Sequence, residues 1–306
     1  MFGPDSSGRA ALVRVDANLA PVAQISGSNT QLDLLGVSDL AVDRRGNVYV
    51  YYRGTIKVYA ANAAGDVAPM STIVLNPPPG GTFSNVPGFV LDGTGGAFVR
   101  FVTGGVVPQD VGIKCWIAHF TLAVPSRPAT VAANCSQTES GSFRPWALTA
   151  MATDGRGYLY AALRGDSGTD SNIVRYRIGP GGTLTRDAAL LVSSYYHSDP
   201  ATFTVDASGN VYNATHGGYP TATVLPDGKI ITAYPASSFV SGTTTNARDV
   251  AGQTFPGDGP MAVDPMGNLF ARVAYSTGAI VVPAGSHAVS ATTSFEARWI
   301  IAIPPR

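Results

Sequence analysis

One short phrase returns five times along the chain, and it constrains the fold more than any other feature. Each copy is an apolar run ending in Asp, two variable residues, a Gly, and a second apolar run that contains an aromatic residue. β-Branched and aromatic residues favour strands, Asp can accept a hydrogen bond from the backbone two residues on, and Gly tolerates positive φ. The phrase therefore predicts a β-hairpin, and it assigns the repeated Asp to turn formation. The five turns begin at Asp43, Asp92, Asp154, Asp206 and Asp264.

The spacing of the copies predicts a ring of four-stranded sheets. Successive turn Asp residues lie 49 to 62 residues apart, and about 40 to 50 residues are typical of one propeller blade. No segment has a sustained apolar period of 3.6 residues, so no substantial helix is expected. The sequence thus predicts an all-β fold in which residues 1–306 form a single β-propeller domain. The repeat units span about 36–76, 85–136, 144–193, 199–235 and 258–293.

The two ends of the chain are predicted to share one further blade. Residues 10–27 follow the pattern of the outer two strands of the first unit, including the Ala20-Pro21 pair that opens the outer strand. Residues 294–304 are expected to supply an inner strand, because closing the ring removes an exposed sheet edge. This gives six blades. Five blades are the alternative if the termini merely complete the last unit.

The hairpin phrase and the strand Ile56–Tyr59 resemble the NHL-repeat and senescence-marker/gluconolactonase class of β-propellers. The segment IKVYAANAAGDVAPMSTI is similar to NHL-type repeats of bacterial exported proteins, and the resemblance covers about residues 10 to 295. Proteins of this class have many functions, so the resemblance implies a scaffold and export but no catalytic residue. Lactonases of the class use a Glu at the inner mouth, whereas Glu139 and Glu296 are the only Glu residues here and neither begins an inner strand.

Composition narrows the range of partners. Charged residues make up 13% of the chain and the formal net charge is zero, so neither nucleic acid nor membrane insertion is expected. A surface with few charges resists self-association poorly, which makes a protein partner or self-association the expected contact, with a glycan as a further candidate. A compositional bias of the genome would explain the same numbers.

The two cysteines are predicted to form a disulfide. Cys115 and Cys135 each lie ten residues from Pro125, near which a turn separates two predicted strands. Directly opposed residues of an antiparallel pair come close enough for a bridge. Two unrelated buried thiols are the alternative. Because disulfides persist in oxidising compartments, and because the polar start of the chain is not a signal peptide, we expect a mature extracellular or periplasmic protein.

Three irregular loops carry the candidate site residues. The resemblance to lactonases and lyases places an active site on the face opposite the Asp-x-x-Gly turns, where long loops gather. Imidazole and carboxylate groups suit a divalent ion such as Zn²⁺ or Ca²⁺, or a general base. The alternative is that these are ordinary polar turns and surface histidines. The catalytic candidates are His197, His216, Tyr219 and Arg164, and the metal-ligand candidates are His197, His216, Asp166, Asp170 and Asp199.

No catalytic motif stands out in the sequence. We therefore expect an exported binding, interaction or structural module, self-assembly included, rather than an enzyme. A metal-assisted hydrolase or lyase using the loop residues is one alternative. A carbohydrate-binding propeller that uses its rim aromatics is another.

Overall fold

The computed structural model describes residues 1–16, 18–83, 88–103, 114–124, 130–135, 148–164, 170–193, 203–216, 229–250, 252–256, 258–272, 278–286, 289–293 and 300. Within them the helical turns are short 3₁₀ segments at Pro180–Gly182, Ala236–Ser238 and Ala247–Asp249. None of the helices in this part of the chain is long and apolar enough to cross a membrane. The strands are β1 (Phe2–Pro4), β2 (Ala10–Val15), β3 (Pro21–Ser26), β4 (Asp39–Val42), β5 (Val48–Tyr52), β6 (Thr55–Tyr59), β7 (Ser71–Val74), β8 (Gly81–Phe83), β9 (Phe89–Leu91), β10 (Gly96–Thr103), β11 (Lys114–Thr121), β12 (Thr130–Asn134), β13 (Leu148–Thr153), β14 (Tyr158–Arg164), β15 (Asp170–Ile178), β16 (Leu184–Ser193), β17 (Phe203–Val205), β18 (Val211–His216), β19 (Lys229–Tyr234), β20 (Thr244–Asn246), β21 (Gln253–Pro256), β22 (Asp258–Val263), β23 (Leu269–Arg272), β24 (Ala279–Val282) and β25 (Ala291–Thr293).

The described strands form six sheets, which are the blades of a β-propeller, so the predicted fold class is confirmed. Blade 1 is β1-β2-β3 and blade 2 is β4-β5-β6-β7. Blade 3 places both β8 and β9 on the inner side of β10, followed by β11 and β12. Blade 4 is β13-β14-β15-β16, with the short strand β20 added in parallel, blade 5 is β17-β18-β19-β21, and blade 6 is β22-β23-β24-β25.

The antiparallel order gives the ring two distinct faces. The connections from first to second and from third to fourth strand of each blade lie at the same end of the sheet, and we call this end the turn face. The remaining connections form the loop face. Arg44, in the turn of blade 2, donates a hydrogen bond to the Gly155 carbonyl in the turn of blade 4 at 3.3 Å. The Asp-x-x-Gly turns therefore gather around one mouth of the ring.

The core lies between successive blades. Tyr51 of blade 2 stacks on Phe89 of blade 3 with ring centres 5.2 Å apart. Phe98 of blade 3 packs in one cluster with Leu148 and Leu159 of blade 4, and all three side chains are fully buried. Each such side chain contributes about 1.5–3 kcal/mol of burial free energy. Because each sheet is covered by its neighbours, the blades stabilise one another.

Blade 1 contains one strand that the sequence analysis did not predict. β1 pairs with β2 through a turn in which Asp5 accepts hydrogen bonds from the N–H groups of Ser7 and Arg9, both at 2.9 Å. This Asp5-Ser6-Ser7-Gly8 turn has the Asp-x-x-Gly pattern of the repeated phrase, but it leads into the third strand of its blade and therefore lies on the loop face. It was missed because the flanking apolar runs are short.

The shared blade itself stays a prediction. β2 and β3 correspond to the third and fourth strands of a blade. The reason is that β3 pairs in parallel with a segment of the next blade at Gly65, as the fourth strand β16 pairs in parallel with β20. Apart from Ile300, residues 294–304 lie outside the described residues. Ile300 is buried in a cluster that contains Leu19 of blade 1 and Ala262 of blade 6. That position supports closure between the first and last blades.

Candidate functional site

The repeated Asp side chain is fully engaged in the turns of blades 2, 5 and 6. In blade 2, Asp43 Oδ1 accepts the N–H groups of Arg45 at 2.8 Å and Asn47 at 2.9 Å, while Oδ2 accepts Asn47 Nδ2 at 2.8 Å. Gly46 adopts φ 85°, which favours glycine. Asn47 Oδ1 accepts the Ala61 N–H at 3.2 Å and so ties two connections of the blade together. The same arrangement holds at Asp206 with Asn210 and Ala236, and at Asp264 with Asn268 and Ala284.

Blade 3 closes its turn with a histidine instead. Asp92 Oδ1 accepts the N–H groups of Thr94 and Gly96, and Oδ2 lies 2.8 Å from His119 Nε2. Gly96 stands where the turns of blades 2, 5 and 6 have Asn, and a Cβ there would overlap both the His119 ring and Asp92 Oδ2. Burial raises the pKa of Asp92, but the hydrogen bonds from His119, Thr94 and Gly96 outweigh burial and hold the pKa well below its usual range. The sequence analysis missed this pairing.

The predicted disulfide is present. Cys115 and Cys135 are bonded and fully buried, with Cα atoms 5.0 Å apart. The Cys135 N–H also donates to the Cys115 carbonyl at 3.0 Å. The bridge therefore fixes the outer two strands of blade 3 to each other, and this prediction is confirmed.

The sequence candidates are only partly within the described residues. Arg164 ends β14, Asp170 begins β15 and His216 ends β18, so the backbones of all three lie at the loop face of blades 4 and 5. The described residues contain no group of three or more His, Cys, Asp or Glu that could hold a metal ion. The catalytic and metal roles stay predictions. Asp166, His197, Asp199 and Tyr219 lie outside the described residues.

A cavity of about 550 Å³ opens on the turn face, where blades 6, 1 and 2 meet. Sequence reasoning missed it, because it searched the opposite face and because three separate blades build the walls. The charged side chains in the lining are those of Arg14, Asp16 and Asp264. Small aliphatic groups form much of the rest, among them the side chains of Val13, Val15, Val42, Val48, Ala61 and Ala63. A concave, largely apolar site with few polar groups is typical of ligand binding.

The charged groups of the cavity differ in how far they are engaged. Arg14 is half-buried, and within the described part of the chain its guanidinium donates one hydrogen bond, to the Ala61 carbonyl at 2.7 Å. No described residue forms an ion pair with it. Asp264 is occupied by its own turn, since Met266 and Asn268 both donate to it. Asp16 Oδ1 likewise accepts two backbone N–H groups, at 2.8 and 2.9 Å.

Exposed apolar side chains share this face. Met266, which lines the cavity, is 68% exposed, and Met70 is 62% exposed. Seven of the exposed large apolar side chains in the described residues belong to connections or strand ends of the turn face, namely Val22, Met70, Val124, Val131, Val240, Met266 and Val289. Scattered apolar residues are normal on a protein surface, but several on one face are typical of an interaction surface.

Comparison with known proteins shows the fold alone. No protein-family model matches the chain, and no curated protein matches it. A protein of unknown function from Bacteroides caccae is 14% identical with a TM-score of 0.52, and the match covers 99% of this chain and 97% of that chain. The β-propeller domain of Myceliophteria thermophila Cps50 (Swd1) is 12% identical with a TM-score of 0.49, covering 97% and 85%. At these identities the likeness carries no function.

Proposed function

We propose that the protein is an exported binding module without catalytic activity, and that it receives its partner on the turn face. The observation that carries the proposal is that the turn face holds both a largely apolar cavity and most of the exposed large apolar side chains of the described residues. The disulfide between Cys115 and Cys135 supports export, because such bonds persist in oxidising compartments. Membership of the NHL-repeat class is part of the same proposal.

The engagement of the repeated carboxylates supports a binding role. Asp43, Asp206 and Asp264 each accept three or more hydrogen bonds inside their own turns. A carboxylate held in this way stabilises the backbone and offers little to a reacting substrate. The turn face therefore presents a rigid rim with apolar side chains and a cavity, which suits recognition.

Methyl NMR tests where the protein binds small molecules. The protein would be labelled at Val, Leu, Ile and Met methyl groups and titrated with a mixed set of small alcohols, amides and carboxylic acids. We expect shifts to concentrate at Val15, Val48 and Met266. Shifts confined to loop-face methyls such as Leu35, or turnover of a lactone in the same samples, would refute the proposal in favour of the hydrolase alternative.

Light scattering over a concentration series tests the apolar surface. Met266→Glu places a charge on the turn face, and Leu35→Glu is the matched control, because Leu35 is 92% exposed on the loop face. If the turn face mediates self-association, only Met266→Glu will lower the average mass. If the natural chain is monomeric at every concentration, self-association is excluded under these conditions, and the proposed partner is a different protein.

A further inference from the structure

Blades 1 and 4 are built alike around an arginine on the third strand. Arg14 lies on β2 opposite Ala23, and Arg175 lies on β15 opposite Ala188. In both blades the strand register shifts directly after the arginine. The sequences around them, Leu-Val-Arg-Val and Ile-Val-Arg-Tyr, also correspond.

Both arginines reach into the next blade. Arg14 donates to the Ala61 carbonyl, in the connection between the third and fourth strands of blade 2, at 2.7 Å. Arg175 donates to the Phe239 carbonyl, in the same connection of blade 5, at 3.1 Å. Both guanidinium groups therefore bind the same connection of the next blade. The acceptors are not equivalent positions, because the bonds to Asn47 and Asn210 align Ala61 with Ala236 and not with Phe239.

The blade 4 arginine is saturated by the chain itself. Its Nε donates to Asp187 Oδ2 at 2.6 Å. The rings of Tyr158 and Phe239 lie 5.0 and 5.3 Å from its guanidinium carbon, within cation–π range. The Arg175 side chain is only 13% exposed. This half of the molecule shows that such a site accepts a carboxylate beside an aromatic ring.

The blade 1 arginine has neither neighbour among the described residues. The position before the opposed alanine is Asp187 in blade 4 but Val22 in blade 1. Where blade 5 supplies Phe239, the corresponding connection of blade 2 contributes Ala60, Ala61 and Ala63 to the cavity wall. The space of about 550 Å³ beside Arg14 is within the usual size of a ligand site.

We infer that the cavity binds a small carboxylate with an apolar, ring-sized body, and that Arg14 holds the carboxylate. The inference rests on the proposed function, since it names a ligand class for the turn face. A guanidinium has five N–H donors and matches a carboxylate with two parallel hydrogen bonds. The apolar body then lies against Val48 and Ala61, on the side of the cavity where Arg14 meets blade 2.

Two carboxylates line the cavity and could repel a negatively charged ligand. Asp264 is directed into its turn, where Asn268 and two backbone N–H groups bind it. Asp16 has one oxygen in its own turn and is exposed to solvent, which screens it. Neither pairs with Arg14. Within the described residues the guanidinium donates only to the Ala61 carbonyl, and a guanidinium has five N–H donors.

Titration with 3-phenylpropionate and its uncharged amide tests the inference, with binding followed by calorimetry and methyl NMR. We expect the acid to bind at least tenfold more tightly than the amide. Arg14→Gln should abolish that preference, because a hydrogen bond between charged groups contributes a factor of ten or more. Arg9→Gln, an equal charge change at an exposed residue of the same blade, is the matched control and should leave the preference intact.

A second variant pair tests the place of the ligand. Ala61→Phe should place a ring in the cavity beside Arg14, and should abolish binding of acid and amide. Ala64→Phe, at an exposed alanine of the same connection that does not line the cavity, should leave both unchanged. If Arg14→Gln does not fold, the natural chain provides the test. A tenfold or greater preference for the acid over the amide supports the carboxylate inference, and equal affinities contradict it.

The outcomes separate the two proposals. Equal binding of acid and amide at the cavity overturns the carboxylate inference and leaves the binding function standing. Acid binding that survives both Arg14→Gln and Ala61→Phe places the ligand elsewhere and overturns the inference too. Absence of shifts at Val15, Val48 and Met266 with every probe overturns both.

Discussion

Blade 3 and blades 2, 5 and 6 close the same turn by different means. In the latter, the Asp is bound by an Asn four residues further along the chain, so each link is local. In blade 3 the corresponding partner is His119, 27 residues from Asp92, and a disulfide joins two residues 20 apart. A repeat can therefore keep its backbone turn while the groups that lock it change from local to distant ones. Distant links are harder to replace, and one of them helps to lower the pKa of Asp92.

Removing the disulfide should cost more than any single change in the Asn-closed blades. We expect Cys115→Ser with Cys135→Ser to lower the free energy of unfolding by about 3 kcal/mol, because closing a loop of about 20 residues restricts the unfolded chain by that amount. Denaturant unfolding under oxidising conditions measures it. A loss below about 1 kcal/mol would show that blade 3 does not depend on its distant links.

Converting the blade 3 turn to the Asn type should fail unless His119 is removed as well. Gly96→Asn places a Cβ against both the His119 ring and Asp92 Oδ2, and overpacking of this kind costs about 1–3 kcal/mol. The double variant Gly96→Asn with His119→Ala should recover part of that loss, since the Asp92 carboxylate is then free to turn from the position of His119 towards the new Asn. Unfolding of both single variants and the double variant gives the coupling energy. An additive result would contradict the exchange of partners.

Removing the local link should have a smaller effect. Asn47→Ala leaves the backbone donors to Asp43 in place but removes the bond to Oδ2 and the acceptor for the Ala61 N–H. We expect a loss of about 1–2 kcal/mol, and a similar value for Asn210→Ala. Comparing these two variants by thermal unfolding checks whether the Asn-closed turns are equivalent.

Acid should weaken blade 3 selectively. The pKa of Asp92 lies below its ordinary value of 3.8 in the folded protein, so the unfolded chain takes up the proton first. The stabilisation is therefore fully present above about pH 4 and is lost as the pH falls below that value. Hydrogen exchange of the blade 3 amides between pH 6 and 3 should show earlier opening there than in blade 2. Removing His119 should reduce the difference.

Sequence patterns were sufficient where the cause is local or follows from simple pairing. The Asp43 turn follows from residues within a span of five, and the pairing of Cys115 with Cys135 follows from their equal distance to one turn. The contact of His119 with Asp92 was not predictable in this way, because it depends on which residues of β10 and β11 face each other. The cavity at Arg14 requires three blades to meet, and no linear pattern records that. The one sequence feature that pointed to this cavity is the similarity between the strands around Arg14 in blade 1 and Arg175 in blade 4.

The added strand β20 also changes how the ring comes apart. It belongs to blade 5 in sequence but hydrogen-bonds to the outer strand of blade 4, where Ala189 donates to the Thr243 carbonyl at 3.1 Å and Gly242 donates to the Asp187 carbonyl at 2.6 Å. The outer strand of blade 4, β16, is therefore not an exposed edge, because β20 of blade 5 is hydrogen-bonded to it. β16 can separate from its sheet only after β20 has detached, so local unfolding in this sector begins in blade 5 and then reaches blade 4.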